Sequence, residues 1–304
     1  MKISIIMPTF NRKAVLSFAI DALCKQTITY SDYELIIVSD GSTDGTNDLL
    51  VNKKKEVPFS LSYISQDHKG VGAARNLGIR EAKGDIILFM GDDIIPTPVF
   101  LEEHIRTHDE YNYGRVAVQG YTVYHPDLSI TPFMYWLANG GFGFAYNAFF
   151  DRKEISYKYL YTSNVSINRS FISDKIYYNE NFPMASSEDT EFGYRLTKSG
   201  YKIIFNKNAL AYHYHPTDII KECHKAQVYG EASVLLEKMV PGLVSDVPKY
   251  KILISNGIVK IFSFSFLKPF LRLMEKTGNS YIYKWIIGCF YINSRYKKKH
   301  EHQK

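Results

Sequence analysis

The sequence predicts an α/β protein with a mixed, mainly parallel sheet flanked by helices and a helical extension at its C-terminal end. Three observations carry that expectation. Strand-like apolar runs alternate four times with helix-like amphipathic runs before residue 93, the pattern of a parallel sheet with crossover helices. The fourth strand-like run, Ile86 to Met90, is uninterrupted apolar sequence, as suits a strand covered on both faces. It stops at Gly91 and then on two adjacent carboxylates, Asp92 and Asp93. Ligands of open α/β sheets bind beyond the carboxyl ends of the strands, and Thr9, Asp40, Asp92 and Asp93 are all expected there.

Each element has its own signal. Lys2 to Met7 reads as the first strand, closed by Pro8-Thr9-Phe10-Asn11. Val15, Phe18, Ala19, Ala22 and Leu23 recur at helical spacing in the segment Arg12 to Cys24. Glu34 to Val38 is the second strand. It runs into Ser39-Asp40-Gly41-Ser42-Thr43-Asp44, where Ser42, Thr43 or Asp44 can cap a helix reaching about Lys53. Leu61 to Ser65 is a weaker third strand, and Gly70-Val71-Gly72-Ala73-Ala74-Arg75-Asn76 opens a helix that ends near Gly84. That glycine run lacks the third glycine of a dinucleotide fingerprint and follows the wrong strand for one.

Beyond Asp93 the alternation loosens. Val116 to Tyr124 looks like a strand, residues 125–160 are aromatic and irregular, and Leu160 to Ile167 returns to the sheet. Ser186 or Ser187 can cap a helix whose first turn holds Glu188, Asp189 and Glu191, where the dipole favours acids whatever else they do. Tyr201 to Phe205 is another strand. His213 and His215 follow it and share a side if the chain there is extended, so they can complete a metal site or simply pack at the surface. A long helix is expected over Thr217 to Met239.

Residues 249–296 change character. Apolar and aromatic residues, Phe264, Phe266, Leu267 and Trp285 among them, alternate with lysines and arginines and run into a basic tail ending at Lys304. Such segments lie on an anionic membrane surface, or pack on the rest of the chain or on a second copy as a homodimer. The chain carries a net charge of +6, and its excess is concentrated in that tail rather than along a nucleic-acid motif, so nucleic acid is not an expected partner. Cys24, Cys223 and Cys289 are far apart and odd in number, which fits neither a disulfide framework nor a zinc site and points to a reducing cytoplasm. The short apolar run before Pro8 is too short for a signal peptide, and no stretch reaches the roughly 18 apolar residues of a membrane span. The expected location is therefore cytoplasmic, peripheral on the inner face of the cell membrane if the C-terminal segment binds lipid. The expected division is a domain over residues 1–240, with halves 1–110 and 111–240, and an extension over 241–304.

Two neighbouring aspartates at a strand end repel each other unless a cation sits there, and oxygen ligands favour Mg²⁺ or Mn²⁺, which also hold phosphate oxygens. A solvated Asp-Asp turn is the plain alternative. Taken together, Pro8-Thr9-Phe10-Asn11-Arg12, Val38-Ser39-Asp40-Gly41-Ser42-Thr43-Asp44, Gly70 to Asn76, Asp92-Asp93 and Glu188-Asp189 resemble the family 2 glycosyltransferases with a GT-A fold, in the family's order, over roughly residues 1–220.

The resemblance implies inverting transfer of a sugar from a nucleotide sugar, with UDP-sugars the leading donor class, to a glycan or lipid-linked acceptor. It implies that Thr9 and Asp40 meet the nucleotide with Arg75 nearby, that Asp92 contacts the ribose or metal, and that Asp93 holds Mn²⁺ or Mg²⁺. It further implies His213, or His215, as an added metal ligand, Asp189 as general base, and Glu188 and Arg12 as acceptor or donor contacts. Gly91 departs from the family, many of whose members carry a third acid there. A sugar-nucleotide pyrophosphorylase would want a glycine-rich phosphate loop after the first strand, which Pro8-Thr9-Phe10-Asn11 does not offer. A non-catalytic scaffold would tolerate loss of Asp93 or Asp189, and both are present.

Overall fold

The computed structural model describes residues 1–172, 177–182, 187–240, 242–243, 247–262 and 268–301. Ser186, Phe264, Phe266, Leu267 and Lys304 lie outside them. The chain opens with β1 (Ile3–Thr9), α1 (Lys13–Leu23), β2 (Tyr33–Asp40), α2 (Thr46–Glu56), β3 (Ser60–Gln66), α3 (Val71–Glu81) and β4 (Ile86–Met90). It continues through β5 (Ile94–Pro96), α4 (Phe100–Glu110), β6 (Val116–Tyr124), α5 (Pro132–Asn139), β7 (Glu154–Ile155) and β8 (Asn164–Asn168). It closes with α6 (Glu188–Lys198), β9 (Lys202–His213), α7 (Ile219–Met239), α8 (Lys249–Phe262), α9 (Lys268–Met274) and α10 (Ser280–His300).

Two compact units form. The first takes residues 1–128, 149–181 and 188–215, and the second takes 129–148, 182–187 and 216–304. The first unit holds the sheet, in the order β3-β2-β1-β4-β8-β6-β9-β5, with β7 paired to β9. Strands β1 to β4 are mutually parallel, as the alternation predicts, and β6 runs parallel to β9. β8 is antiparallel to both β4 and β6, and β5 is antiparallel to β9.

The continuous apolar runs are explained by burial on both faces: β2 and β4 are buried along their whole length. Their side chains join Leu16, Ile20 and Leu23 of α1 and Phe100 and Leu101 of α4 in one core. α3 fits closely against β1 because position 78 is glycine; a Cβ there would stand 2.4 Å from an Ile6 methyl. At the amino end of the sheet, buried Glu34 accepts from Ser4 Oγ at 2.6 Å and from Lys83 N at 2.8 Å, which satisfies its charge and pins the turn entering β4. β1 has β2 on one side and β4 on the other, so the connections diverge there and open a crevice at the carboxyl ends.

The structure adds one element to the predicted set that matters for the site. β5 begins one residue after Asp93 and pairs with the end of β9, Ile94 opposite His213. β9 itself is a single long strand, with an irregularity opposite Gly120 and Tyr121. The second unit is helical, and α7 and α10 pack along each other around Cys223, Ala226, Tyr283, Ile286, Ile287 and Phe290. The three cysteines are free thiols.

Candidate active site

Four chain segments converge at the carboxyl edge of the sheet in the first unit. β1 delivers Thr9 and then Arg12; β2 delivers Asp40; β4 delivers Asp92 and Asp93; β9 delivers His213 and, just past its end, His215. The loops after β1 and β2 are laced together. Asn11, in the left-handed region at φ 52°, accepts from Thr43 N at 2.7 Å, while Lys13 N donates to Asp44. Asp44 also accepts from Thr46 N, the first backbone donor of α2, from one residue before the N-cap Gly45.

Asp93 is the centre of this cluster. Its Oδ2 accepts from Arg12 Nη1 at 2.5 Å and lies 3.3 Å from His213 Nε2 and 3.4 Å from His215 Nδ1. The Ile94–His213 register, together with Tyr214 N donating to Asp93 O at 2.8 Å, brings the histidines there. The two imidazoles stack, their centroids 5.3 Å apart and their planes 10° from parallel. Asp92 accepts from Thr9 Oγ1 at 2.7 Å and has Arg12 Nε at 3.9 Å.

The paired aspartates divide their charge. Burial and the neighbouring charge of Asp93 push Asp92 up to about 7. Burial also opposes ionisation of Asp93, but His213, His215 and Arg12 outweigh it and hold Asp93 well below the usual carboxylate range. One carboxylate oxygen and two imidazole nitrogens within 4.8 Å of one another make a donor set that fits a divalent ion. A guanidinium already drawn against Asp93 shows how strongly the spot favours positive charge.

Asp40 sits at the neighbouring strand end and spends its oxygens on backbone. It accepts from Lys69 N at 2.8 Å, Gly70 N at 2.9 Å and Gln66 Nε2 at 2.7 Å, and His68 Nδ1 lies 3.0 Å from it. It thereby fixes the loop that opens α3, and Phe10 covers His68 with ring centroids 4.3 Å apart.

A second cluster forms on α3 and α6. Arg75, expected from the resemblance near the nucleotide, donates to Glu188 at 3.0 Å and to Asp189 at 3.3 Å, and its guanidinium lies over the Tyr178 ring at 5.0 Å. Burial opposes the charge on Arg75, but Asp189 and Glu188 outweigh it and keep the group cationic. Asp189 accepts further from Thr162 Oγ1 at 2.5 Å and Thr162 N at 3.1 Å, and its side chain is one-quarter exposed. The other acid of the turn, Glu191, pairs with Arg195 instead. The two clusters adjoin through residues 162 and 163, since Gly91 N donates to Ser163 O. Thr162 carries no motif, and the one hint of it in the sequence is its place just before a strand. Gly91 has a local reason to lack a side chain, because a Cβ there would stand 3.0 Å from Asp93 Oδ1.

Residues 4–173 match the family described as Glycosyl transferase family 2. Chondroitin synthase of Escherichia coli is 24% identical over 270 residues, covering 79% of this chain and 38% of that protein, so this chain spans well under half of that relative's length. Among solved structures, Staphylococcus aureus TarS 1-349 in complex with UDP-GlcNAc superposes with a TM-score of 0.54 at 16% identity, covering 100% of this chain and 92% of that one. The mannosyltransferase PcManGT from Pyrobaculum calidifontis, in complex with GDP-Man and Mn²⁺, superposes with a TM-score of 0.63 at 14% identity, covering 99% and 88%. At those identities the likeness speaks for a shared GT-A fold. With more than half of its length matched by the family, the chain belongs to glycosyltransferase family 2.

Proposed function

We propose that this protein transfers a sugar, with inversion, from a nucleoside diphosphate sugar to a hydroxyl of a glycan or lipid-linked acceptor. The observation that carries the reading is the adjacency of two clusters: a cation-seeking Asp93–His213–His215 set and a carboxylate, Asp189, oriented by Thr162 and Arg75 but open to solvent on one side. A UDP-sugar is the favoured donor, in keeping with the UDP-GlcNAc complex of S. aureus TarS.

Asp93, His213 and His215 would hold the divalent ion, which neutralises diphosphate charge as the leaving group departs. Two imidazoles among three donors favour Mn²⁺ over Mg²⁺. Thr9 holds Asp92 in place, and Asp40 holds the loop of Lys69 and Gly70, so both act here by positioning what surrounds the nucleotide. Asp189 takes the acceptor's hydroxyl proton; the freed oxygen forms the new bond at the anomeric carbon as the bond to the diphosphate breaks on the opposite face. One positioned base suffices for this single displacement. Glu188 keeps Arg75 charged and in place, and Arg12, a cation beside Asp92 and Asp93, would meet the donor's diphosphate. Cys24, Cys223 and Cys289 as free thiols suit a reducing compartment.

Asp189→Asn tests the reading. It keeps the shape of the side chain and removes its basicity, so transfer should fall at least a hundredfold while nucleotide affinity stays within about twofold. Equal loss of nucleotide binding would make Asp189 a structural residue.

A further inference from the structure

The helical second unit exposes an apolar face that the transfer chemistry does not use. On α8, Tyr250, Leu253, Ile254 and Ile261 are 60%, 72%, 48% and 49% exposed. Their spacing places them along one side of the helix over roughly 16 Å, while Ser255 on the other side is buried. The same pattern returns on α9, where Phe270 and Leu273 are exposed beside buried Leu271, and on α10, where Tyr281 and Trp285 are exposed beside buried Tyr283 and Ile286. A row of large apolar side chains on α8, with further exposed ones on α9 and α10, is more than the scattered single residues of an ordinary surface.

The charge around them is mostly positive, although Glu237 of α7 pairs with Arg295 and Lys299 beside the cavity described below. Between residues 249 and 301 the sequence holds eleven lysines and arginines against two acids, Glu275 and Glu301. Glu275 is buried and accepts from Ile219 N, so it presents no negative charge to a partner. Beside the apolar side of α8, that helix and α10 frame a cavity of about 500 Å³ lined in part by Lys249, Leu253, Tyr296, Lys299 and His300. Basic and apolar walls together suit a headgroup phosphate with the start of its chains.

We propose that this face docks on an anionic lipid surface, with α8 lying in the plane of the interface. Two copies of a face with this excess of positive charge repel each other, which argues against self-association. A nucleic acid would meet the lysines but leave Leu253, Ile254 and Leu273 without a role. A lipid surface uses both features, because apolar burial and attraction to anionic headgroups add. Among the described residues no helix is long and apolar enough to cross a membrane, so the contact is one of lying on the bilayer rather than spanning it. Nothing in this inference depends on Asp93 or Asp189.

Co-sedimentation with vesicles tests it, using the full chain. Vesicles of phosphatidylcholine containing roughly one-third phosphatidylglycerol should pellet the protein several-fold more than vesicles of phosphatidylcholine alone, and added salt should weaken the binding. Leu253→Asn with Leu273→Asn, and separately Lys251→Glu with Lys276→Glu, should each lower binding several-fold. All four positions are exposed, and circular dichroism of each variant verifies that the fold is kept. Absence of pelleting, or equal pelleting with neutral vesicles, would overturn the proposal. So would a concentration-dependent dimer in sedimentation velocity that Leu253→Asn abolishes, since the face would then belong to a second copy.

Discussion

Replacing Arg75 by methionine keeps most of the side-chain volume on α3 and removes one charge. In the folded protein that charge is enclosed, paired with Glu188 at 3.0 Å and Asp189 at 3.3 Å. The two acids differ in what they can do without it. Asp189 is one-quarter exposed and keeps both Thr162 donors, so it can solvate itself. The Glu188 side chain is only 3% exposed, so it loses an enclosed ion pair that water does not replace. Breaking a buried pair from one side typically costs about 3–5 kcal/mol, and we expect that loss in Arg75→Met. Adding Glu188→Gln removes the buried charge and should recover about half or more of it. The assay is urea unfolding followed by far-ultraviolet circular dichroism, because both tryptophans, Trp136 and Trp285, lie in the second unit and would report on the wrong part of the chain. A loss below about 1 kcal/mol, or a double variant as unstable as the two single changes summed, would refute the account of Glu188 as a buried carboxylate held by Arg75.

Two further predictions follow from charges elsewhere in the first unit. Arg12 competes with a metal ion for Asp93, so Arg12→Met should tighten Mn²⁺ binding in the absence of nucleotide, roughly tenfold for a partly exposed charged hydrogen bond. Electron paramagnetic resonance of free Mn²⁺ measures this directly, and weaker binding would show that Arg12 supports the site rather than competing for it. His104 and His108 are fully enclosed around Ser166 at 2.9 Å each, and burial lowers them to about 4 and about 3. Both are neutral in the fold but take up protons near pH 6.5 when unfolded. Their contribution is therefore complete above pH 6.5 and lost as pH falls toward 4, about 3 kcal/mol for His104 alone. His104→Gln/His108→Gln should flatten the fall of unfolding free energy across that window, and an unchanged slope would assign it to other groups.

Much of the first unit was legible in its sequence for a physical reason. Strands buried on both faces read as unbroken apolar runs, so β1, β2 and β4 announced themselves, and turn-forming residues marked where they ended beside Asp40 and Asp92. β5 is three residues long and has no periodicity to detect, yet its pairing with β9 carries His213 to Asp93. Two histidines two residues apart suggested a shared side, and both reach the same carboxylate oxygen, although His215 lies beyond the strand. The ion pairing of Arg75 was hidden because it joins residues more than a hundred positions apart. Thr162 was hidden for a similar reason, since an isolated threonine acquires its role only when α6 is packed beside it. The exposed side of α8 could be read as spacing, but only the packing of Ser255 shows which side is covered.

The central claim is a donor site that needs a divalent ion. Thermal unfolding with UDP-, GDP-, dTDP- and CMP-sugars, each with Mn²⁺ and again with EDTA, tests it most directly. The account predicts a rise in the midpoint with a nucleoside diphosphate sugar, UDP foremost, that EDTA abolishes and Asp93→Asn removes. A rise of equal size in EDTA, or none with any donor, would contradict it.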